Sequence, residues 1–148
     1  RVSRASVQME DQTVVAIGSG LVVLLGIAKF DCALDASYLV ERTVNLRIFS
    51  VNTSNFNRSA LDVGAELLVI SQFTLYSNTR KGRRPDFTQS AQPQEAKRLD
   101  LKAIEKFRES GLTLATGSFG EYMKVELNND GPVTQILDSA DRLCARRS

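Results

Sequence analysis

Three strand-length runs fall within the first 27 residues, joined by connections too short to hold a crossover helix. Val2-Ser3-Arg4-Ala5-Ser6-Val7-Gln8-Met9 alternates in polarity, Glu10-Asp11-Gln12 turns the chain, and Thr13-Val14-Val15-Ala16-Ile17 brings it back. Gly18-Ser19-Gly20 then leads into Leu21-Val22-Val23-Leu24-Leu25-Gly26-Ile27, apolar on both faces and read as a central strand. Parallel neighbours need about a dozen or more residues of crossover, so these short links predict an antiparallel meander. The Gly-Ser-Gly step is not a phosphate cradle, because a strand follows it where such a fingerprint needs a helix.

The rest of the chain supplies helices and further strands. Asp31 or Asp35 can cap a helix from about Ala36 to Leu46, with Leu39, Val40, Thr43, Val44 and Leu46 on its apolar stripe. A polar segment, Ser50 to Ser59, reads as one loop. Glu66 to Leu75 is a second long apolar strand, and Arg80-Lys81-Gly82-Arg83-Arg84 forms a basic loop after it. Ser90 to Ser110 is expected to hold a helix, with Pro93 in the first turn, Gly111 past the end, and a buried stripe of Ala96, Leu99, Ala103, Ile104 and Phe107. Thr113-Leu114-Ala115, Tyr122 to Leu127 and Val133 to Leu137 read as later strands, the last two joined by a hairpin through Asn-Asp-Gly-Pro. The predicted class is α+β, a single domain of mainly antiparallel, barrel-like or layered sheet with two helices packed on one side. Residues 1–137 are expected to form that domain and 138–148 a polar, loose tail. The chain opens on Arg1 without a methionine, so a preceding segment is expected.

Composition narrows the chemistry. The 148 residues include no histidine, which removes the commonest general base, the commonest metal ligand and every Ser-His or Cys-His arrangement. Cys32 and Cys144 lack metal or redox spacing, and Asp35, Asp62, Asp86 and Asp130 are scattered, so no metal site is expected. Any hydrolysis must rest on hydroxyls, carboxylates, backbone amides, water or the substrate itself. A net charge of +2 does not announce nucleic-acid binding. The apolar run Leu21 to Ile27 is too short to span a bilayer and has no signal-peptide flank, which predicts a cytoplasmic protein with no membrane partner.

Two segments are candidates for function. Ser71-Gln72-Phe73-Thr74 ends the buried strand. Its bland reading is a solvent-facing strand end; its functional reading is a rigid exit that aims side chains and amides into a cleft. There Thr74 would position a water or the ester, and N–H groups beside Phe73 would stabilise an oxyanion. A nucleophilic Thr74 would be poorly activated without a base. The second segment is Asn128-Asn129-Asp130-Gly131-Pro132-Val133-Thr134, either a plain hairpin or a functional backbone element. The basic loop is either solvated surface or a phosphate contact, and Phe119 and Met123 are either core or a base-binding platform.

A Ser-Gln-Phe-Thr segment followed by a late Asn-Asp-Gly-Pro-Val-Thr segment resembles the D-aminoacyl-tRNA deacylases. The resemblance extends to Arg1-Val2-Ser3-Arg4-Ala5-Ser6-Val7, Val23 to Ile27, Asn45 to Phe49, Lys81 to Phe87 and Gly117 to Met123, in order. It implies hydrolysis of the ester joining a D-amino acid or glycine to the terminal ribose of tRNA, a proofreading step in translation, with no cofactor. It implies a homodimer whose sites lie at the subunit interface. Ser71, Gln72, Phe73 and Thr74 would then be catalytic, and Gly131 and Pro132, joined by a cis bond, would exclude L-amino acids from the partner's site. Asn129, Val133 and Thr134 would bind substrate, with Phe119 and Met123 near the terminal adenosine. Three rival readings are an editing deacylase for a misattached L-amino acid, a non-catalytic nucleic-acid-binding dimer, and a structural or regulatory dimer.

Overall fold

The computed structural model of the chain describes residues 1–50 and 56–144. Strands β1 (Val2–Met9) and β2 (Val14–Ile17) form the expected antiparallel hairpin, with Ala5 opposite Ile17 and Gln8 opposite Val14. Its turn is closed by Met9 N–H to the Thr13 carbonyl at 2.8 Å and by the Asp11 carboxylate accepting from Thr13 N–H at 2.9 Å. The meander ends there. Strand β3 (Gly20–Leu25) meets β1 only at Val2 opposite Gly20, then runs parallel to β4 (Glu66–Ser71) from Gly20 opposite Glu66 to Leu25 opposite Ser71. Helices α1 (Ala33–Asn45) and α2 (Ala60–Val63) lie in the connection between them. Strand β5 (Leu114–Thr116) pairs parallel to β4 after helix α3 (Pro93–Glu109). Strand β6 (Met123–Asn129) runs antiparallel along nearly all of β1. The result is an α+β domain with a nearly closed, barrel-like mixed sheet. Short links fixed the first hairpin, but helical crossovers made β3, β4 and β5 parallel, as their both-sides-apolar sequences suit.

Alternation along β4 divides the core. Leu67 and Val69 face the helices, with Leu21, Leu25, Val40, Val44, Ala103 and Phe107. Leu68 and Ile70 face the barrel interior, with Val2, Ala5, Val7 and Ile17. Burying each such aliphatic side chain contributes about 1.5–3 kcal/mol, so β4, apolar on both faces, is the least replaceable strand. Helix α1 starts three residues before its expected position because Asp35 closes a capping box, accepting from Cys32 N–H at 2.8 Å. Ser59 caps α2, taking the Asp62 amide at 3.2 Å. The loop read over Ser50 to Ser59 falls partly on 51–55, outside the described residues.

Two expectations near the end of the chain are corrected. Val133 to Leu137 is not a returning strand; the chain there has no regular structure. The segment read as loose is ordered through residue 144, because a 3₁₀ turn at Ser139–Leu143 docks on α1. Arg142 Nε donates to Asp35 Oδ1 at 2.8 Å, giving a largely buried carboxylate the cation it needs. Residues 145–148, including Arg146 and Arg147, lie outside the described part. No described helix is long and apolar enough to cross a membrane.

The buried stripe of α3 holds one residue that periodicity did not flag. Asp100 is 4% exposed, and its Oδ1 has no hydrogen-bond partner among the described residues. Burial pushes its carboxyl up to about 6. A carboxyl held above its unfolded value favours the fold fully below about pH 4, and that advantage is lost as pH rises through 6. Asp100→Asn is therefore expected to raise Tm at pH 7.5, with the gain shrinking toward pH 4.5. Thermal melts across that range test it; an equal shift at every pH would assign the effect to something other than the charge.

Candidate active site

Strand β4 delivers the first motif. Its ladder with β3 continues one residue past Ser71, with Gln72 N–H donating to the Leu25 carbonyl at 2.8 Å. The backbone then turns out of the sheet into a 3₁₀ turn, Phe73–Tyr76, held by Leu75 N–H to the Gln72 carbonyl at 3.3 Å and Ser77 N–H to the Thr74 carbonyl at 3.1 Å. The first N–H groups of such a turn have no partner inside it. Gln72 gives no side-chain cap, and the N–H groups of Phe73 and Thr74 donate to no described acceptor. Two backbone donors are thus presented at the mouth of a rigid strand.

The side chains complete the picture. Phe73, Thr74 and Leu75 are exposed, whereas Ser71 and Gln72 are half-buried. The Gln72 amide donates to the Thr74 hydroxyl, leaving that hydroxyl's own hydrogen available to a water or an ester oxygen. The Phe73 ring meets Phe87 edge to face, centroids 4.9 Å apart, and the Ser90 hydroxyl donates to the Phe73 carbonyl at 3.3 Å. Ser90 carries no motif and Phe87 only closes the Lys81 to Phe87 segment, so sequence reasoning missed both as supports of the turn.

The second motif follows β6. Asn129 spans the Gly-Pro step, its Oδ1 accepting from Val133 N–H at 3.2 Å and its Nδ2 donating to the Thr134 hydroxyl at 2.8 Å. Gly131 sits at φ 120°, a region closed to residues with a Cβ, and the Gly131-Pro132 peptide bond is cis. Arg1 fastens the segment from the other side. Its Nη1 donates to the Ile48 carbonyl at 2.7 Å, and its Nε reaches the Asp130 carbonyl and carboxylate, each at 3.2 Å. Gly131 and Pro132 face solvent while Val133 is buried, so the loop is pinned at its base and open at its tip.

Between the motifs lies an apolar cavity of about 340 Å³. Leu75 lines it from the first motif, and Asn129, Val133 and Thr134 from the second. Ser71 to Thr74 and Gly131-Pro132 do not line it, and no described hydrogen bond joins the two motifs within the chain. Phe119 is half-buried against Ile27, Ala96 and Leu99, and Met123 against the barrel interior, so both also serve as packing. The basic loop is closed at its neck by an antiparallel bridge between Asn78 and Asp86, with Arg80, Lys81, Arg83 and Arg84 exposed. Among the described residues no three His, Cys, Asp or Glu side chains come together as a metal site.

This arrangement can polarise a carbonyl and place a water without a titrating base, which is the chemistry of activated ester cleavage. The comparisons point the same way. The family described as D-Tyr-tRNA(Tyr) deacylase matches residues 1–138. A protein of Dehalococcoides mccartyi named D-aminoacyl-tRNA deacylase is 55% identical over 147 residues, covering 99% of this chain and 96% of that one. A solved structure titled c-Myc DNA Unwinding Element Binding Protein superposes with a TM-score of 0.82 at 36% identity, covering 90% of this chain and 91% of that one. A probable eukaryotic D-amino acid tRNA deacylase shares the fold, with a TM-score of 0.77 at 14% identity over 88% of this chain and 91% of that one.

Proposed function

The chain belongs to the D-Tyr-tRNA(Tyr) deacylase family, hydrolases of aminoacyl-tRNA esters, and from that premise we propose how its residues divide the work. The observation that carries the reading is the exposed turn at the end of β4, where the N–H groups of Phe73 and Thr74, without a partner among the described residues, stand beside a hydroxyl held by Gln72. A water attacks the ester carbonyl, and the developing oxyanion takes those two N–H groups. The neighbouring ribose hydroxyl relays the proton, giving its own to the leaving ribose oxygen and taking one from the attacking water, so that free tRNA and amino acid depart. Thr74 positions the water or the ester, Ser71 and Gln72 hold the turn, and Phe119 and Met123 flank the terminal adenosine. No cofactor enters. Residues 1–137 carry this activity as one domain, with 138–148 appended to it.

Thr74→Ala is expected to slow hydrolysis of D-aminoacyl-tRNA by about a hundredfold yet leave it well above the uncatalysed rate, since each remaining oxyanion donor contributes ~3 kcal/mol. Single-turnover release of radiolabelled D-amino acid measures this. Trapping an acyl group on Thr74 would overturn the positioning role in favour of a nucleophilic one.

The working form is a homodimer in which Gly131 and Pro132, with Asn129, Val133 and Thr134 behind them, enter the partner's site and exclude L-amino acids. In support, Gly131-Pro132 is exposed and makes no described hydrogen bond to its own Phe73-Thr74 turn. Leu24, Leu75, Leu127 and Ile136 leave apolar surface near the cavity mouth, Ile136 being 95% exposed. Sedimentation is expected to give twice the chain mass, and a monomer with full activity would sink the shared-site reading. Acting on tRNA, the protein works in the cytoplasm. The DNA-element name of one structural relative keeps a binding-only role as the competing outcome: retention of labelled nucleic acid with no loss of D-aminoacyl ester would establish it.

A further inference from the structure

Phe30 is 99% exposed and sits at φ 71°, a left-handed conformation that bulky L residues avoid. A strained, fully solvated aromatic is the kind of outlier from which function is inferred. Its turn is not loose. Ala28 N–H donates to Asp31 Oδ2 at 2.7 Å, and Asp31 N–H returns to the Ala28 carbonyl at 3.3 Å. Lys29 N–H donates to the Gln89 carbonyl at 2.9 Å, Ala28 bridges Ser90, and Ala91 N–H donates to the Ile27 carbonyl at 2.9 Å. The turn is therefore stapled to the segment that leaves the basic loop.

Those same staples tie it to the candidate site. Ser90 holds the Phe73 carbonyl, and Ile27 and Ala91 pack with Phe119. Phe30 thus belongs to a turn linked through Ser90 and Ala91 to the support of the Phe73 turn and to the cluster around Phe119. The charge around the turn is mixed. Lys29 is exposed beside the ring and Arg80, Lys81, Arg83 and Arg84 are exposed on the loop that leads into the stapling segment, while Asp31 in the same turn stands close enough to Asp35 and Asp138 to feel both. A solvent-facing ring beside a cation has the elements of single-stranded nucleic-acid recognition, in which the ring stacks on a base and the cation meets a phosphate.

Resting on the deacylase reading, we propose that Phe30 is a stacking platform for the single-stranded 3′ end of the tRNA substrate, contacting a nucleotide just before the terminal adenosine. Its ring lies beyond the reacting ester, so its contribution is to binding and not to the chemical step.

The test compares wild type, Phe30→Gly and Phe30→Tyr on D-aminoacyl-tRNA and on the truncated substrate 3′-D-aminoacyl adenosine. Phe30→Gly accepts the left-handed backbone, so its Tm is expected to equal or exceed that of wild type. With full-length tRNA it is expected to raise KM roughly tenfold, within the range of one base–aromatic stack, at a kcat within about twofold. Phe30→Tyr restores KM, and the glycine penalty vanishes on the truncated substrate. An unchanged KM on tRNA, or an equal loss on both substrates, overturns the proposal. So does a change in sedimentation for Phe30→Gly, which would make the occupant a second copy of the chain. If wild type cleaves neither substrate, the deacylase reading has failed, and anisotropy with uncharged tRNA still decides Phe30: roughly tenfold weaker binding by Phe30→Gly supports the stack, and equal binding rejects it.

Discussion

Matched tRNAs charged with D-alanine and glycine are expected to be deacylated about a thousandfold faster than the L-alanyl form, a difference of about 4 kcal/mol in the barrier. If Gly131-Pro132 acts by exclusion, its backbone needs only to occupy the space an L side chain would take. A D side chain points elsewhere, and glycine has nothing to collide. Such a filter works only if it cannot yield, and the anchoring of this segment supplies that stiffness. Arg1 holds Ile48 and Asp130, and Asn129 holds Val133 and Thr134 across the step. Gly131→Ala attacks the arrangement directly. At φ 120° a Cβ is strained whatever the space, and here it would meet Val133 Cγ2 at 2.8 Å and Arg1 Nη2 at 2.9 Å. The variant is expected to cut the D-over-L ratio by at least about tenfold, through a rise in L cleavage, a fall in D cleavage, or both. Rates on the three charged tRNAs decide it. Wild type that spares glycyl-tRNA while cleaving the D form would show that exclusion alone is the wrong account.

Gly20→Ala is expected to be the most damaging small substitution in the fold. A Cβ at Gly20 would lie 1.8 Å from the Glu66 carbonyl oxygen and 2.8 Å from the Glu66 nitrogen, both backbone atoms that cannot step aside. The parallel β3–β4 ladder begins at this pair, so the clash separates the two strands where their register is set. A loss of about 3–5 kcal/mol places the change among the severe ones, a large part of the 5–15 kcal/mol typical of a whole domain. Denaturant melts measure it. Gly82→Ala, where a Cβ meets nothing within 4 Å but φ is 73°, gives a conformational-strain-only control expected to cost far less.

The sequence disclosed the two long helices and most of the strands because these follow from periodicity within one segment. The stripe from Ala96 to Phe107 is buried as read. Strand partnership was less legible. Leu21 to Ile27 looked like the third strand of a meander, yet its long partner is β4, about forty residues on, because two helices intervene. Val133 to Leu137 has strand-like residues but pairs with no described strand, and the Asn129 side chain takes the Val133 N–H and the Thr134 hydroxyl where a hairpin would use backbone. At the candidate site, the Ser71–Thr74 and Asn129–Thr134 segments announce themselves by type and spacing. Their supports do not: Ser90 acts across 17 positions on Phe73, and Arg1 across 129 on Asp130. Asp100 escaped notice because a single carboxylate does not spoil an apolar stripe.

The contact between Arg142 and Asp35 bears on how the chain would be attacked from its end. Asp35 carries both the capping bond to Cys32 and the guanidinium of Arg142, and that partnership holds its carboxyl well below the usual carboxylate range. The link's contribution to stability is full at neutral pH and declines as pH falls below about 4, while the pair itself persists until acid reaches the depressed carboxyl. Because residues 133–137 run without regular structure between the pinned Gly-Pro loop and this docked turn, they behave as a strap fastened at both ends. A protease working inward should stall at the buckle, and Arg142→Ala should let it run on toward Val133, uncovering the apolar cavity and inviting aggregation.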